Sequence, residues 1–385
     1  MRYLLLALVV GGCGGNGSMP GGGGGGGGSG GGTMHTPSTA AALATTLRGK
    51  PNLMIGMGND LASDHTMDGA YTLGTTLDLH YTYLVGLGSG AWPTWNSDGS
   101  FVNIMTDSAD AMSVTPMFTL YQMAADGDGN LAGLADDTYM QEYWDATRLL
   151  FQRIAMFGKP AVVHVEPDFW GYAEMQSNGT PSALAVKVSA SECSSLPQDV
   201  SGMAACIFTL ARMYAPKAVV GLHASQWGAP AASDVAAWMT AVGAGAGDFL
   251  ATDLLDRDAG CFEAHTDPNC MRGGTTGWYW DESNATSPNF HDFLTYTKTL
   301  HDGVGLPMMW WQIPFGVPST TPGGSAGHYR DNRVHYLFGH TDELVAAGLV
   351  GAAFGTGAGN QTYIDSDGGQ FQSAVTAYFA APTPL

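Results

Sequence analysis

The stretch AVVHVEPDFWGY, residues 161–172, gives the clearest indication of the fold. Apolar, mostly β-branched residues run into a glutamate, a proline, an aspartate and three aromatic residues. Side chains alternate across a strand, so Val163 and Val165 should face one side and His164 and Glu166 the other. The segment therefore predicts a buried strand that ends in a polar and aromatic loop.

Short apolar segments of this kind recur along the chain and alternate with amphipathic ones. The predicted strands cover residues 52–58, 77–86, 114–123, 161–167, 218–225, 249–255, 307–315 and 350–357. The clearest predicted helices cover residues 137–157, 199–215, 289–302 and 332–348. This alternation predicts an α/β fold, a single (β/α)8 TIM-type barrel over residues 50–385. A doubly wound open sheet is the alternative, which the lack of a GxGxxG motif after the first strand disfavours.

The carboxyl ends of the predicted strands are rich in aromatic and polar residues, whereas their amino ends lack this enrichment. Active sites of (β/α)8 barrels lie at the C-terminal face, so this asymmetry predicts a site there. Indole faces suit the apolar faces of pyranose rings, and core or loop packing is the alternative for each residue. The candidate substrate-binding residues are Trp92, Trp95, Tyr121, Trp170, His223, Trp227, Trp310, Gln312 and His328.

Several carboxylates at these strand ends are candidates for acid–base chemistry. Burial beside aromatic rings would raise the pKa of Glu166, as a general acid requires. The alternative is a carboxylate that caps the strand end or pairs with an arginine. Glycoside hydrolysis needs a second carboxyl group, and the segment TDLLDRD offers Asp253, Asp256 and Asp258 as nucleophile or base. Asp253 is favoured because it lies within an apolar run, and Asp168 is a further candidate.

The overall charge restricts the class of partner. Lysine and arginine total 14 and aspartate and glutamate 34, which gives a net charge of −20. Such a field repels phosphate backbones, so we expect no nucleic-acid partner. A neutral polysaccharide or oligosaccharide is compatible with it. We expect a monomer, and the sequence suggests no cofactor.

Metal binding is a weaker interpretation. His80, His164, His223 and Asp253 would suit a metal-dependent hydrolase, but the His-x-His of amidohydrolase-like first strands is missing. The loop 126–137 has aspartates at EF-hand-like spacing, but it lacks the required glycine and the final glutamate, so a turn is favoured. We therefore predict no metal site.

The N-terminal residues indicate a targeting signal and a linker rather than a folded domain. MRYLLLALVVGGC, residues 1–13, resembles a bacterial lipoprotein signal in which Cys13 is lipidated, with an ordinary secretory signal as the alternative. Residues 14–49 are rich in Gly, Ser and Thr and predict a disordered, flexible linker. The expected location is outside the cell, anchored by the lipid on Cys13 to the outer membrane or another surface of the envelope.

Cysteine usage fits export. The four remaining cysteines suggest two disulfides, with Cys261–Cys270 the easiest pair because it closes a short loop.

The motifs VVHVEPDFWGY, DLLDRDAG, WWQIPFG, GHYRDNR and AAFGTGAGNQT together resemble exported (β/α)8-barrel glycoside-hydrolase-like proteins, often joined to carbohydrate-binding modules. The resemblance covers about residues 52–380 and implies export and a barrel fold. The large retaining-hydrolase clan has Asn-Glu after its fourth strand and Glu after its seventh, whereas this chain has Val165-Glu166 and Gln312. The nucleophile is therefore sought on strand six.

Two functions follow from these observations. The first is a surface-tethered glycoside hydrolase of a neutral polysaccharide, with a β-glucan as one candidate, in which Glu166 is the general acid and a strand-six aspartate the partner. The alternative is a non-catalytic glycan-binding barrel lipoprotein. This alternative is favoured by Gln312, which stands where the retaining-hydrolase clan has a glutamate.

Overall fold

A computed structural model describes residues 39–59, 69–254, 280–315, 333–355 and 363–385. Eight parallel strands pair in sequence order, and the first pairs with the last to close a barrel. The strands are β1 (Met54–Gly58), β2 (Leu79–Val85), β3 (Thr115–Tyr121), β4 (Ala161–Val165), β5 (Ala218–His223), β6 (Phe249–Asp253), β7 (Met308–Ile313) and β8 (Leu349–Phe354). The predicted TIM-type barrel is confirmed, and each predicted strand overlaps an observed one.

Helices surround this barrel. They are α1 (Ala40–Arg48), α2 (Trp92–Trp95), α3 (Phe101–Ala111), α4 (Asp137–Phe157), α5 (Phe169–Gln176), α6 (Val200–Tyr214), α7 (Ala232–Ala241), α8 (Phe290–Val304), α9 (Arg333–Gly339), α10 (Thr341–Ala346) and α11 (Gln370–Ala380). The longest, α4, begins where the Asp136 side chain accepts a hydrogen bond from the Tyr139 N–H and ends at Gly158 with φ +72°. The predicted helix 332–348 is interrupted at His340, which has non-helical backbone angles.

Side-chain alternation divides the core into two layers. Val163 and Val165 pack in the layer between strands and helices, as predicted. The opposite faces of the strands fill the barrel interior. Interior residues include Met54, Leu79, Tyr81, Met117, Val162, Val219, Phe249, Met309 and Trp311.

Helix α1 packs against the barrel interior. Its buried residues Leu43 and Leu47, one turn apart, belong to the same cluster as those interior side chains. The Thr115 hydroxyl at the start of β3 donates to the Leu47 carbonyl at 3.0 Å. The predicted linker 14–49 therefore extends too far, because apolar residues spaced i, i+4 within 40–48 bury a helical face.

The described residues contain one disulfide, Cys193–Cys206, with a Cα–Cα distance of 5.5 Å. It joins the segment before α6 to α6 itself. The predicted pair Cys261–Cys270 lies outside the described residues, as does Cys13. Within the described ranges no helix has the length and apolar character needed to span a bilayer.

Candidate active site

The turn after β4 has an unusual backbone. Glu166 and Asp168, on either side of Pro167, have φ of +53° and +68°. Non-glycine residues adopt positive φ at a cost of order 1–3 kcal/mol each, and such residues cluster at functional sites. The turn is fixed to β3 by a hydrogen bond of 2.7 Å from the Glu166 N–H to the Leu120 carbonyl. The two carboxylates consequently leave the strand in directions that simple alternation does not give.

Glu166 is buried against the end of β3. Its two oxygens accept hydrogen bonds from the Gln122 and Met123 backbone N–H groups at 3.2 and 3.1 Å. Tyr143 of α4, on the helix side of the sheet, lies next to it outside hydrogen-bond geometry. Burial raises the pKa of Glu166 to about 8. The side chain is fully buried. The prediction that it shares the inner face with His164 is therefore corrected, because the positive φ turns it toward the helix layer.

Asp168 occupies the mouth of the barrel instead. It is the N-cap residue of α5, yet its side chain makes no capping hydrogen bond. The carboxylate contacts the Tyr121 hydroxyl at 2.8 Å, and the same hydroxyl lies 2.6 Å from Asp128. Burial raises the pKa of Asp168 to about 6. This pKa is the net result, since His223 and the Tyr121 hydroxyl oppose the effect of burial and the charges of Asp253 and Asp128 add a smaller increase.

Proton counting constrains this cluster. Burial and the two carboxylates raise the pKa of Tyr121, so its hydroxyl keeps its one proton. One proton can satisfy only one of two carboxylates at hydrogen-bond distance. The other contact needs a proton on the carboxyl group itself. One of Asp128 and Asp168 is therefore neutral whenever both contacts are made.

A row of polar side chains crosses four neighbouring strands on the inner face of the barrel. Thr119 Oγ1 lies 3.4 Å from His164 Nδ1, and His164 Nε2 lies 3.0 Å from His223 Nδ1. His223 Nε2 in turn faces Asp253 Oδ1 at 3.6 Å. Burial, and then the neighbouring His223, hold the pKa of His164 well below its ordinary value. The row leads from the barrel interior to Asp253, whose side chain retains 16% exposure.

Trp311 packs against this row. Its ring makes edge contacts with His164 and His223 at centroid distances of 4.9 and 5.8 Å, and with Tyr83 at 5.8 Å. Its indole N–H is buried without a hydrogen-bond partner among the described residues. The histidine rings are thereby confined.

An aromatic pair lies beside the acidic cluster. Trp227 is 38% exposed and its ring centroid is 4.5 Å from that of Tyr172. Tyr172 lines a small depression together with Tyr121, Asp128 and Asp168. Trp227 and Tyr172 therefore offer an accessible apolar surface next to the carboxylates.

Three of the predicted stacking residues are core residues. Trp92, Trp170 and Trp310 have no exposed surface, because their indole N–H groups bond to Gln122, Val165 and Thr297 in the interior. Strand alternation puts Trp310 on the helix side, where it contacts α8. These three predictions are corrected, since a side chain without exposed surface cannot stack on a sugar.

The remaining predicted residues are dispersed. Trp95 is partly exposed, and its indole N–H donates to the Gly90 carbonyl at 2.9 Å. Gln312 is partly exposed and has φ +56°, where the register of β7 against β8 shifts, so strand alternation does not determine which way it faces. Asp256, Asp258 and His328 lie outside the described residues.

Of the four residues proposed for a metal-dependent hydrolase, His164, His223 and Asp253 lie in the polar row, but His80 does not join them. His80 packs on Tyr71 at 4.4 Å, apart from His164 and His223. Burial, with a smaller effect of Arg48, lowers its pKa to about 3. In the part of the chain that the structure describes, no group of three or more His, Cys, Asp or Glu residues could hold a metal ion.

The EF-hand-like loop is a turn, as favoured above. The Asn130 side chain accepts from the Ala132 N–H. Asp137 starts α4 and pairs with Lys187, and Asp128 faces Tyr121.

Sequence reasoning missed several parts of the site. Asp128 was considered only as a calcium ligand, and Thr119, Tyr172 and Trp311 received no role. The run Met308–Trp311 is apolar on both faces, so periodicity gave no signal for which tryptophan faces inward. One indication of the polar row was available in the sequence, since strand alternation places both His164 and His223 on the inner face of the barrel.

No protein-family model and no curated protein matches the sequence. Among solved structures, the catalytic domain of a GH26 endo-β-1,4-mannanase from Bacillus sp. JAMB-750 aligns with TM-score 0.50 and 10% identity over 90% of each chain. A modular endo-β-1,4-mannanase from Cellulomonas fimi aligns with TM-score 0.50 and 11% identity, covering 91% of this chain and 76% of that one. A D-allulose 3-epimerase from Methylomonas sp. aligns with TM-score 0.45 and 12% identity, covering 86% and 97%.

The chain shares the barrel of the two mannanases. At identities of 10% and 11% the likeness concerns the fold alone. Roles for individual side chains must rest on the geometry of the site.

Proposed function

We propose that the protein is a glycoside hydrolase in which Asp168 is the general acid and Asp253 is the nucleophile or base. The observation that carries this proposal is the Tyr121 hydroxyl shared between Asp128 and Asp168 at 2.6 and 2.8 Å. It requires a protonated carboxyl group at a partly exposed position in the barrel mouth. Asp168 is the better candidate for that proton because burial and two neighbouring carboxylates raise its pKa to about 6.

In the proposed reaction Asp168 gives its proton to the glycosidic oxygen as the bond from that oxygen to the anomeric carbon breaks. The bonding electrons stay with the leaving oxygen, which becomes a hydroxyl. Asp253 either attacks the anomeric carbon, forming a glycosyl-enzyme ester that water hydrolyses with Asp168 as base, or removes a proton from the water that attacks that carbon directly. General acid catalysis of this kind contributes typically ~10²–10⁴ in rate.

Glu166 fits a supporting role better than the role of the general acid. Both of its oxygens are occupied by backbone N–H groups and the side chain has no exposed surface. A substrate oxygen would have to displace those contacts. We therefore assign it to holding the turn that carries Asp168.

The surroundings favour a neutral, hydroxyl-rich substrate. The acidic side chains Asp128, Asp168 and Asp253 disfavour an anionic sugar, and within the described residues no lysine or arginine forms an ion pair with them. A neutral polysaccharide fits, with β-mannan and β-glucan the first to test.

The test is a screen of the purified full chain against mannan, mixed-linkage β-glucan, xylan and starch, with reducing ends as readout. We expect release from at least one polymer and its loss in Asp253→Asn. Binding to a polymer with no product from any of them would overturn the proposal and establish the non-catalytic glycan-binding barrel.

Anchoring at the cell surface is a separate proposal. It is supported by the lipoprotein-like segment that ends at Cys13 and the Gly-rich residues that follow. Radiolabelled palmitate should label the wild-type protein in a bacterial host and fail to label Cys13→Ser. Equal labelling of the two would contradict it.

A further inference from the structure

The polar row on the inner face contains a histidine to which the proposed reaction gives no role. His164 is fully buried, lies between Thr119 and His223, and is one residue removed from Asp253 along the row. A buried neutral imidazole has one donor and one acceptor nitrogen, so its two neighbours determine its tautomer.

The protons of the row can be assigned from its far end. A carboxylate accepts and does not donate, so the proton of His223 belongs on Nε2, which faces Asp253 Oδ1 at 3.6 Å, and His223 Nδ1 is then an acceptor. His164 Nε2, 3.0 Å away, must donate to that acceptor. This leaves His164 Nδ1 to accept from the Thr119 hydroxyl at 3.4 Å. Every donor in the row points toward Asp253.

The opposite order of protons is unfavourable. If His223 donated from Nδ1 to His164, the neutral His223 ring would present a lone pair to the Asp253 carboxylate. That contact would be repulsive in a site where water screens little. Trp311 packs on both rings at 4.9 and 5.8 Å, which hinders the ring rotation that could relieve it.

We infer that His164 is a positioning residue, which fixes His223 as the Nε2–H tautomer and thereby holds Asp253 oriented toward the substrate. The inference rests on the proposed function for its catalytic consequence, but not for the tautomers themselves. Thr119 is the outer member of the same chain, and its hydroxyl selects the tautomer of His164.

The tautomers are tested without any substrate. Long-range ¹H–¹⁵N correlation spectra of the full-length protein distinguish protonated from unprotonated ring nitrogens, with His164→Gln and His223→Gln used for assignment. We expect Nε2–H and bare Nδ1 in both rings near neutral pH. A dominant Nδ1–H form of His223, or a doubly protonated His164, would overturn the inference.

Thr119→Val and Thr119→Ser form a matched pair for the catalytic consequence. Valine keeps the shape of threonine but removes the donor to His164, whereas serine retains the hydroxyl. On a polymer that the wild type cleaves, we expect Thr119→Val to lower kcat about tenfold with KM unchanged and to mix the His164 tautomers, with both effects absent in Thr119→Ser. Unaltered tautomers and kcat in Thr119→Val would overturn the chain.

The two proposals fail in different ways. Predicted tautomers in a protein that cleaves no polymer would support the proton order and refute the hydrolase. Hydrolysis by a protein with the opposite tautomers would retain the hydrolase and refute the role of His164.

Discussion

Replacing Asp128 by asparagine should lower the pKa of Asp168. The Tyr121 hydroxyl joins the two carboxylates through contacts of 2.6 and 2.8 Å. The substitution removes one neighbouring negative charge and retains side-chain atoms that can bond to Tyr121. With that charge gone, ionisation of Asp168 becomes easier, so the acid loses its proton at a lower pH.

The distances set the size of this effect. The bridging oxygen of Tyr121 limits the separation of the two carboxylate oxygens to about 5.4 Å, at which two unit charges repel by about 3 kcal/mol for an effective dielectric of 20 and by about 0.8 kcal/mol in water. These limits correspond to about 2 and about 0.5 pH units. Both carboxylates are partly exposed, so we expect a downward shift of about one unit from the wild-type value of about 6.

Carbon-13 titration of aspartate carboxyl groups measures the shift directly, with Asp168→Asn used to assign the signal. His223, Asp253 and Tyr121 also face Asp168 and are unchanged in the variant. Asp126→Asn is the matched control, because this exposed aspartate of the same loop lies beside Tyr139 instead. A titration midpoint of Asp168 that stays in place or rises in Asp128→Asn would refute the proton-sharing argument.

Three other outcomes are expected. Burial raises the pKa of Glu166 from its ordinary 4.5 to about 8, so this group's contribution to the unfolding free energy is greatest below pH 4.5 and is lost as pH rises toward 8. Urea unfolding at several pH values should show this slope in the wild type and a flatter one in Glu166→Gln; equal slopes would contradict it. Replacing Cys193 and Cys206 together by alanine should lower the unfolding free energy by about 3 kcal/mol, from their separation of 13 residues, and an unchanged urea midpoint would argue against this. Trp227→Ala should raise KM for a cleaved polymer about threefold to tenfold with kcat unchanged, while Trp95→Ala, away from the acidic cluster, should not.

Strand periodicity was sufficient to predict the barrel. The strands of a closed parallel sheet are buried on both faces, so their apolar runs stand out between amphipathic helices. The asymmetry between strand beginnings and polar strand ends predicted a site at the C-terminal face, where the carboxylates of the proposed site end or follow their strands. Helix α1 was missed because Gly, Ser and Thr dominate the preceding residues and obscure the spacing of Leu43 and Leu47.

Individual side chains were harder to assign, for reasons of backbone geometry. Alternation holds only while φ stays in the extended region, and Glu166, Asp168 and Gln312 all have positive φ. In the turn EPD the two side chains therefore point in directions that alternation does not predict. Glu166 turns outward, toward the helix layer, and Asp168 points into the mouth of the barrel. Nothing in the composition of the turn distinguishes these two outcomes, because they depend on its contacts with β3.

The tryptophans illustrate a related difficulty. Trp92, Trp170 and Trp227 all follow predicted strands, yet only Trp227 retains a large exposed surface. An indole in a loop is equally suited to the core and to a ligand. The hydrogen-bond acceptors around its N–H group decide whether the indole is buried in the core or remains accessible to a ligand.

The most direct test of the central claim compares Asp168→Asn with Glu166→Gln on two substrates. One is a polymer that the wild type cleaves, and the other is the matching 2,4-dinitrophenyl glycoside, whose leaving group needs no protonation. If Asp168 is the general acid, Asp168→Asn loses about 10²–10⁴ in kcat on the polymer and little on the aryl glycoside, and Glu166→Gln shows no such difference. The same selective loss in Glu166→Gln, with Asp168→Asn active on the polymer, would contradict the account.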